Sequence, residues 1–484
     1  MSAPDRPDIV LIAVDTLRPD HLGCYGYHRP TSPSIDALAE ESVVFERAFA
    51  AGIPTTPAFT TLLTGLHPYR HRVVTHPAQC RLDEDVLLLP ELAKAVGYLT
   101  AGCDNLVVQG AGRGTWFARG YDHYSGFSYT PFSDQSTQIT DRALALARDA
   151  GDRPLFLFVH YWDPHTPYGP MPPYDSLHVD PDAPASIDMA EVRAIHPEYY
   201  DAFLADMRLA RPDDYNFVVA QYDGEISQVD AQIGRLLAGL RSHRRWENTI
   251  VLLVSDHGEC FGEGGLHFDH HGLYDAVIRV AMILRLPAVS PARVSPLVSH
   301  EDVLPTLCEV ADLPRPPYEL TGRSMLPLLD PSADRRRIRT SVVSVESTRQ
   351  ASLALRTERE KLIVPVVEDA DGHPLPDVYG RPRDPSPRLF DVAADPFERH
   401  DLAARRPDTV ARLRAELDAW RTEQEKVTGL PDPVLTQGLS LPYERFMERR
   451  GRRWTAPPQG PPHGGPAHGG PPHGGTEWGR RALG

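Results

Sequence analysis

The 484-residue chain has no apolar run approaching the length needed to cross a bilayer, so the sequence offers no membrane-spanning helix. It has no C-x-x-C pair either. Cys24, Cys80, Cys103, Cys260 and Cys308 are odd in number and scattered, which fits free thiols in a reducing compartment better than a disulfide framework. Positive charge is not in excess: 50 Lys and Arg against 66 Asp and Glu leave a formal charge of −16. That balance argues against nucleic acid or an anionic membrane as the main partner. An anionic substrate would have to be drawn in by a local cluster of metal, His and Arg. No basic segment, apolar region and cleavage site follow one another at the N-terminus, so the expected location is the cytoplasm.

What the chain does have is a series of short, fully apolar runs. Ile9–Val14, Leu155–Val159, Ile250–Val254 and Met282–Leu284 are apolar at every position, as in strands buried on both faces of a parallel sheet. Ser34–Phe45, Val86–Val96 and Tyr222–Leu240 carry apolar residues at helical spacing between them. This alternation predicts an α/β fold with a doubly wound, mostly parallel sheet and helices on both faces. Residues 1–334 form the expected catalytic domain. Beyond a Pro-rich stretch, short strands at Ser341–Ser347, Ala351–Arg356 and Lys361–Val367 precede a helix with Val410, Leu413, Leu417 and Trp420 on one stripe. They predict a smaller C-terminal α+β subdomain over 335–446. Residues 447–484 run from an Arg cluster into Pro/Gly/His repeats and are expected to be a disordered tail. Its His463, His468 and His473 offer at most weak metal binding.

Four segments carry chemistry. Val14-Asp15-Thr16-Leu17-Arg18 places a carboxylate at the end of a buried strand, and Ser255-Asp256-His257-Gly258-Glu259 places a second carboxylate and an imidazole at another. Ligands of open α/β sheets bind at such carboxyl ends. One Asp there often caps the next helix; two such ends point to a cation bound by hard oxygen and imidazole nitrogen. Thr55-Thr56-Pro57 opens a helix that Gly65 stops, so the Thr55 hydroxyl lies where backbone N–H groups favour an anion. By itself that segment also reads as an ordinary helix start. Trp162-Asp163-Pro164-His165-Thr166-Pro167-Tyr168 brings His165 behind a third strand, suited to donate to substrate oxygens or a leaving group, with Asp163 read as a turn residue.

Taken in order, these segments resemble the sulfatase family of the alkaline-phosphatase superfamily. DTLRPDHLGCYGY, the helix ending LLTG, Gly97-Tyr98-Leu99-Thr100, WDPHTPY, SDHGE, Ile278-Arg279-Val280, Asp302–Leu307 and Leu389-Phe390-Asp391 follow one another as in that family. The resemblance implies an alkaline-phosphatase-like fold and one divalent metal held by Asp15, Asp256 and His257. Thr55 is then the metal-contacting nucleophile. It also implies that His165 and His271 act in catalysis near the substrate. His165, His267, His271 and Asn105 are the implied substrate contacts, with His267 or His270 able to take the place of His271.

The departures from the family pattern set the chemistry. The Cys or Ser of C/S-x-P-x-R, which matures to formylglycine, is Thr55 here, and Phe59 stands for the Arg. Threonine cannot become formylglycine, so that cofactor is not expected. The Gly-Lys of a second signature falls on Asp104-Asn105, and Thr16 stands where many sulfatases have a second Asp. A Thr nucleophile occurs in related phosphodiesterases and phosphonate hydrolases. The expected function is therefore a metal-dependent hydrolase of a phosphate diester, phosphonate or sulfate ester, acting on a small anionic ester. The alternatives are a sulfatase working without formylglycine and a non-catalytic binding protein that keeps the fold. An Asp-His pair suits Mn²⁺ or Zn²⁺; all-oxygen sites suit Ca²⁺ or Mg²⁺ better.

Overall fold

The computed structural model describes residues 6–76, 80–107, 114–128, 130, 132–183, 186–244, 246–330, 337–443 and 445–448. The Pro/Gly/His repeats, the Arg449–Arg453 cluster and the expected boundary at 334/335 lie outside them.

The central sheet has eight strands in the order Ala292–Val294, Val43–Phe45, Met282–Arg285, Thr249–Ser255, Asp8–Val14, Leu155–Tyr161, Leu99–Asp104 and His123–Gly126. Among these strands Met282–Arg285 alone runs against its neighbours. The three longest, Asp8–Val14, Leu155–Tyr161 and Thr249–Ser255, are buried at every residue. That burial explains why they read as unbroken apolar runs rather than alternating ones. Helices Pro33–Glu40, Gln135–Asp149 and Tyr215–His243 pack together, and Thr55–Thr64, Leu89–Ala95 and Val303–Val310 form a second group. The fold is α/β, as the alternation predicts.

Three helices differ from expectation, the one expected over Val86–Val96 spanning only Leu89–Ala95. The apolar pattern from Ser34 to Phe45 is helical only to Glu40. Val43–Phe45 instead pairs with Met282–Arg285 and Ala292–Val294, because adjacent β-branched valines fit an edge-side strand better than a helix end. The helix expected at Tyr222–Leu240 begins earlier, at Tyr215, where the Asp214 carboxylate accepts the Phe217 N–H at 3.1 Å.

A second sheet orders Arg388–Asp391, Glu360–Val366, Ala351–Thr357, Ser341–Ser347 and Gly52–Ile53. Its strands alternate between two cores. Val343, Val345, Leu353, Leu355 and Leu362 pack with Leu413 and Leu417 of the helix Pro407–Thr428, whereas Val342, Ala354 and Ile363 join the main core. Gly52–Ile53, separated from Thr55 by Pro54, pairs in parallel with Ser341–Ser347 and ties this sheet to the helix Thr55–Thr64. Among the described residues no helix is long and apolar enough to cross a membrane.

Candidate active site

Asp8–Val14 lies between two parallel partners whose registers set Val14 beside both Tyr161 and Ser255. Three strand ends therefore share one edge, and Asp15 and Asp256, each one residue beyond its strand, emerge side by side. Thr16 adopts φ +52°, a left-handed conformation that costs a β-branched residue about 1–3 kcal/mol. There its N–H donates to Asp256 Oδ1 at 3.0 Å, and the His257 N–H donates to the same oxygen at 2.8 Å. Asp256 Oδ2 is left without a hydrogen-bond partner among the described residues. Gly258 is required next: a Cβ there would lie 2.1 Å from the Ala276 carbonyl oxygen.

His257 approaches the Gly258 carbonyl with Nδ1 at 3.0 Å; a proton on Nδ1 directs the Nε2 lone pair inward. Nε2 lies 3.3 Å from Asp256 Oδ2, 4.0 Å from Asp15 Oδ1 and 3.4 Å from Thr55 Oγ1. Thr55 opens the fully buried helix Thr55–Thr64, which ends at Gly65 in the left-handed conformation with its N–H on the Thr61 carbonyl. The structure thus brings Asp15, Thr55, Asp256 and His257 around one point.

These residues fit a divalent cation. Both Asp15 oxygens and Asp256 Oδ2 are buried and accept no well-formed hydrogen bond, a costly state for carboxylates without a compensating charge. One ligand atom from each of Asp15, Asp256 and His257 lies within 4.8 Å of the others. Burial works to raise Asp15, but His160, with His165 and His257, holds its carboxyl well below the usual range. Burial, then the Asp15 charge, pushes Asp256 up.

The remaining residues separate into near and far. His165 approaches the Thr166 carbonyl with Nδ1 at 2.6 Å, and its ring lies 4.3 Å from Trp162 and 4.9 Å from His270. His270 stacks on His257 at 4.9 Å, joining His165 to the cation group. Burial lowers the His270 pKa, but Glu259, 3.7 Å from its Nδ1, and Asp269 outweigh burial and raise it. His271 lies behind His270, its nearest carboxylates Asp269 at 3.9 Å and Glu346 at 4.0 Å, and burial drives it well below its ordinary pKa. Asp269, His270 and His271 also form a tight group, but Arg349 already engages Asp269 at 2.8 Å. Asn105, at the end of Leu99–Asp104, is fully buried with neither amide atom hydrogen-bonded among the described residues.

The resemblance offers His267 as a further substrate contact; its Nδ1 meets the Tyr215 hydroxyl at 3.0 Å. Phe268, with φ +57°, breaks the short strand His267–Asp269 and turns His267 toward the long helix. Sequence reasoning also missed His160, fully buried with Nε2 3.5 Å from Asp15 Oδ2. The signal was a histidine within the last two residues of an otherwise apolar strand.

The family model for sulfatases matches residues 7–313. The chain belongs to the sulfatase family. Among curated relatives, the ulvan-active sulfatase of Formosa agariphila is 26% identical over 86% of this chain and 80% of its own length. The choline-sulfatase of Rhizobium meliloti is 26% identical over 82% of each. Solved structures of the same fold include the phosphonate monoester hydrolases of Agrobacterium radiobacter and Silicibacter pomeroyi. Their TM-scores are 0.66 and 0.69 at 21% and 19% identity, each covering 87% of this chain and 96% of the other. The protein is accordingly a hydrolase acting on ester bonds, within the alkaline-phosphatase superfamily.

Proposed function

We propose that this sulfatase-family chain is a cation-dependent hydrolase that cleaves a phosphate diester, phosphonate or sulfate ester through Thr55. The carrying observation is the Thr55 hydroxyl at a helix N-terminus, 3.4 Å from His257 Nε2 and beside the unpartnered oxygens of Asp15 and Asp256. A divalent cation held by Asp15, Asp256 and His257, with Thr55 as a further contact, would lower the hydroxyl pKa and offset charge on a substrate oxygen. The imidazole favours Mn²⁺ or Zn²⁺ over Ca²⁺ or Mg²⁺.

The Thr55 alkoxide forms a bond to phosphorus or sulfur as the bond to the departing alcohol oxygen breaks, and that oxygen takes a proton from His165. A water that returns its proton to His165 then attacks the same atom and displaces Thr55 as alkoxide. His270, biased toward its charged form, and Asn105 bind the non-bridging oxygens; His271 supports His270 from behind. The five free thiols fit a reducing compartment, and on that basis the cytoplasm is the proposed location.

A sulfatase acting through Thr55 is the second reading, supported by the sulfatase relatives. Side-by-side assays of an aryl phosphate diester, a phosphonate and a sulfate ester separate the two. Thr55→Ala should lower turnover at least about a thousandfold while metal content is unchanged. Full activity in that variant would remove the threonine from the mechanism. Absence of both turnover and bound cation in the wild type would favour a binding protein, the reading that Phe59 and Asn105 support.

A further inference from the structure

His160 is fully buried and near the end of Leu155–Tyr161, paired in register with Ala13 two residues before Asp15. Its ring stands edge-on to Phe59 at 4.8 Å and lies parallel to Phe158 at 6.3 Å, so it is held between aromatic walls. Neither ring nitrogen has a hydrogen-bond partner among the described residues. Its Nε2 stands 3.5 Å from Asp15 Oδ2. The other Asp15 oxygen, Oδ1, faces His257 Nε2. Asp15 thus divides its oxygens, one toward the cation group and one toward His160. Asp104 and Asp256 also lie within electrostatic reach of this imidazole. The positions that carry charge in the family pattern, 16, 59 and 105, are Thr, Phe and Asn in this chain.

We propose that His160 is a positioning residue of the cation centre: its Nε2–H, directed at Asp15 Oδ2, fixes the carboxylate so that Oδ1 faces the cation, and so sets metal affinity. The proposal rests on the cation-centre reading above. Carboxylate ligands are commonly fixed by such outer hydrogen bonds, and losing one typically costs about 10–100-fold in metal affinity. Here Phe59 supplies the apolar surface that keeps the imidazole in place.

The test is Mn²⁺ and Zn²⁺ affinity, measured by competition with a chromophoric chelator, for wild type, His160→Gln, His160→Asn, His160→Phe and Asp15→Asn. A glutamine amide can occupy the Nε2 position, whereas an asparagine amide reaches only as far as Nδ1. His160→Gln should stay within a few-fold of wild type, and His160→Asn and His160→Phe should bind about 10–100-fold more weakly. The Gln/Asn contrast carries the test if the phenylalanine variant does not fold. Equal affinities for Gln and Asn, or wild-type affinity in both Asn and Phe, overturn the proposal while the cation centre stands. Unchanged affinity in Asp15→Asn overturns the centre and the proposal with it.

Discussion

At the scale of single residues, the oxygens of Asp15 and Asp256 have different surroundings within each carboxylate. The two amides of Thr16 and His257 engage one Asp256 oxygen and leave the other without a hydrogen-bond partner among the described residues. A different carboxylate illustrates the cost of burial without a cation. Asp163, four residues after Val159 in the loop that carries His165, is pushed up to about 7 by burial and by the charge of Asp134, and it in turn raises Glu225. The folded chain therefore holds this proton more tightly than the unfolded one. That stability is complete below the ordinary aspartate pKa and is lost as pH rises through about 7. Asp163→Asn should remove the loss, so its melting temperature should exceed that of wild type by a growing margin from pH 5 to pH 8. Parallel melting curves across that range would contradict this account.

At the scale of elements, the second sheet is locked to the segment around Asp275 by charge as well as by apolar packing. Lys361, on Glu360–Val366, is fully buried with Nζ 2.8 Å from Asp275 Oδ1 and 2.6 Å from Glu398 Oε1. Arg356 on the adjacent strand reaches the other Asp275 oxygen at 3.2 Å. Asp275 immediately follows Tyr274 in the segment that returns from His270 and His271. Burial pushes Glu398 up to about 7, while Lys361 opposes that rise. Lys361→Met should leave two adjacent buried carboxyls with one cation between them and destabilise the fold by about 3–5 kcal/mol at neutral pH, read by urea unfolding. A change below about 1 kcal/mol would mean that the ion cluster contributes little beyond its hydrophobic equivalent.

At the scale of the whole molecule, the two sheets meet at Thr55: Gly52–Ile53 belongs to the second sheet, and Thr55 opens the helix packed beneath the first. A cation at the strand ends would join segments hundreds of residues apart, so it should stabilise the entire fold. Treatment with a chelator should lower the melting temperature, and excess Mn²⁺ or Zn²⁺ at a hundred times its Kd should restore about 2.7 kcal/mol. A melting temperature indifferent to both would speak against the centre. Deleting residues after 450 should leave metal content unchanged; a loss of bound metal on deletion would give the His-rich tail a role.

Much of this was legible in the chain because parallel strands buried on both faces must be apolar throughout, so Asp15 and Asp256-His257 stand out as the first polar residues beyond two of them. Strand chemistry and sheet direction then suffice to bring those ends together. Local pattern could not say which histidine of His267-Phe268-Asp269-His270-His271 stacks on His257, because that contact of His270 is tertiary. Nor could it pair His160 with Asp15, or Phe59 with His160. Those contacts join residues that no local periodicity relates, and they exist only where sheet register and the helix of Thr55 bring them within reach.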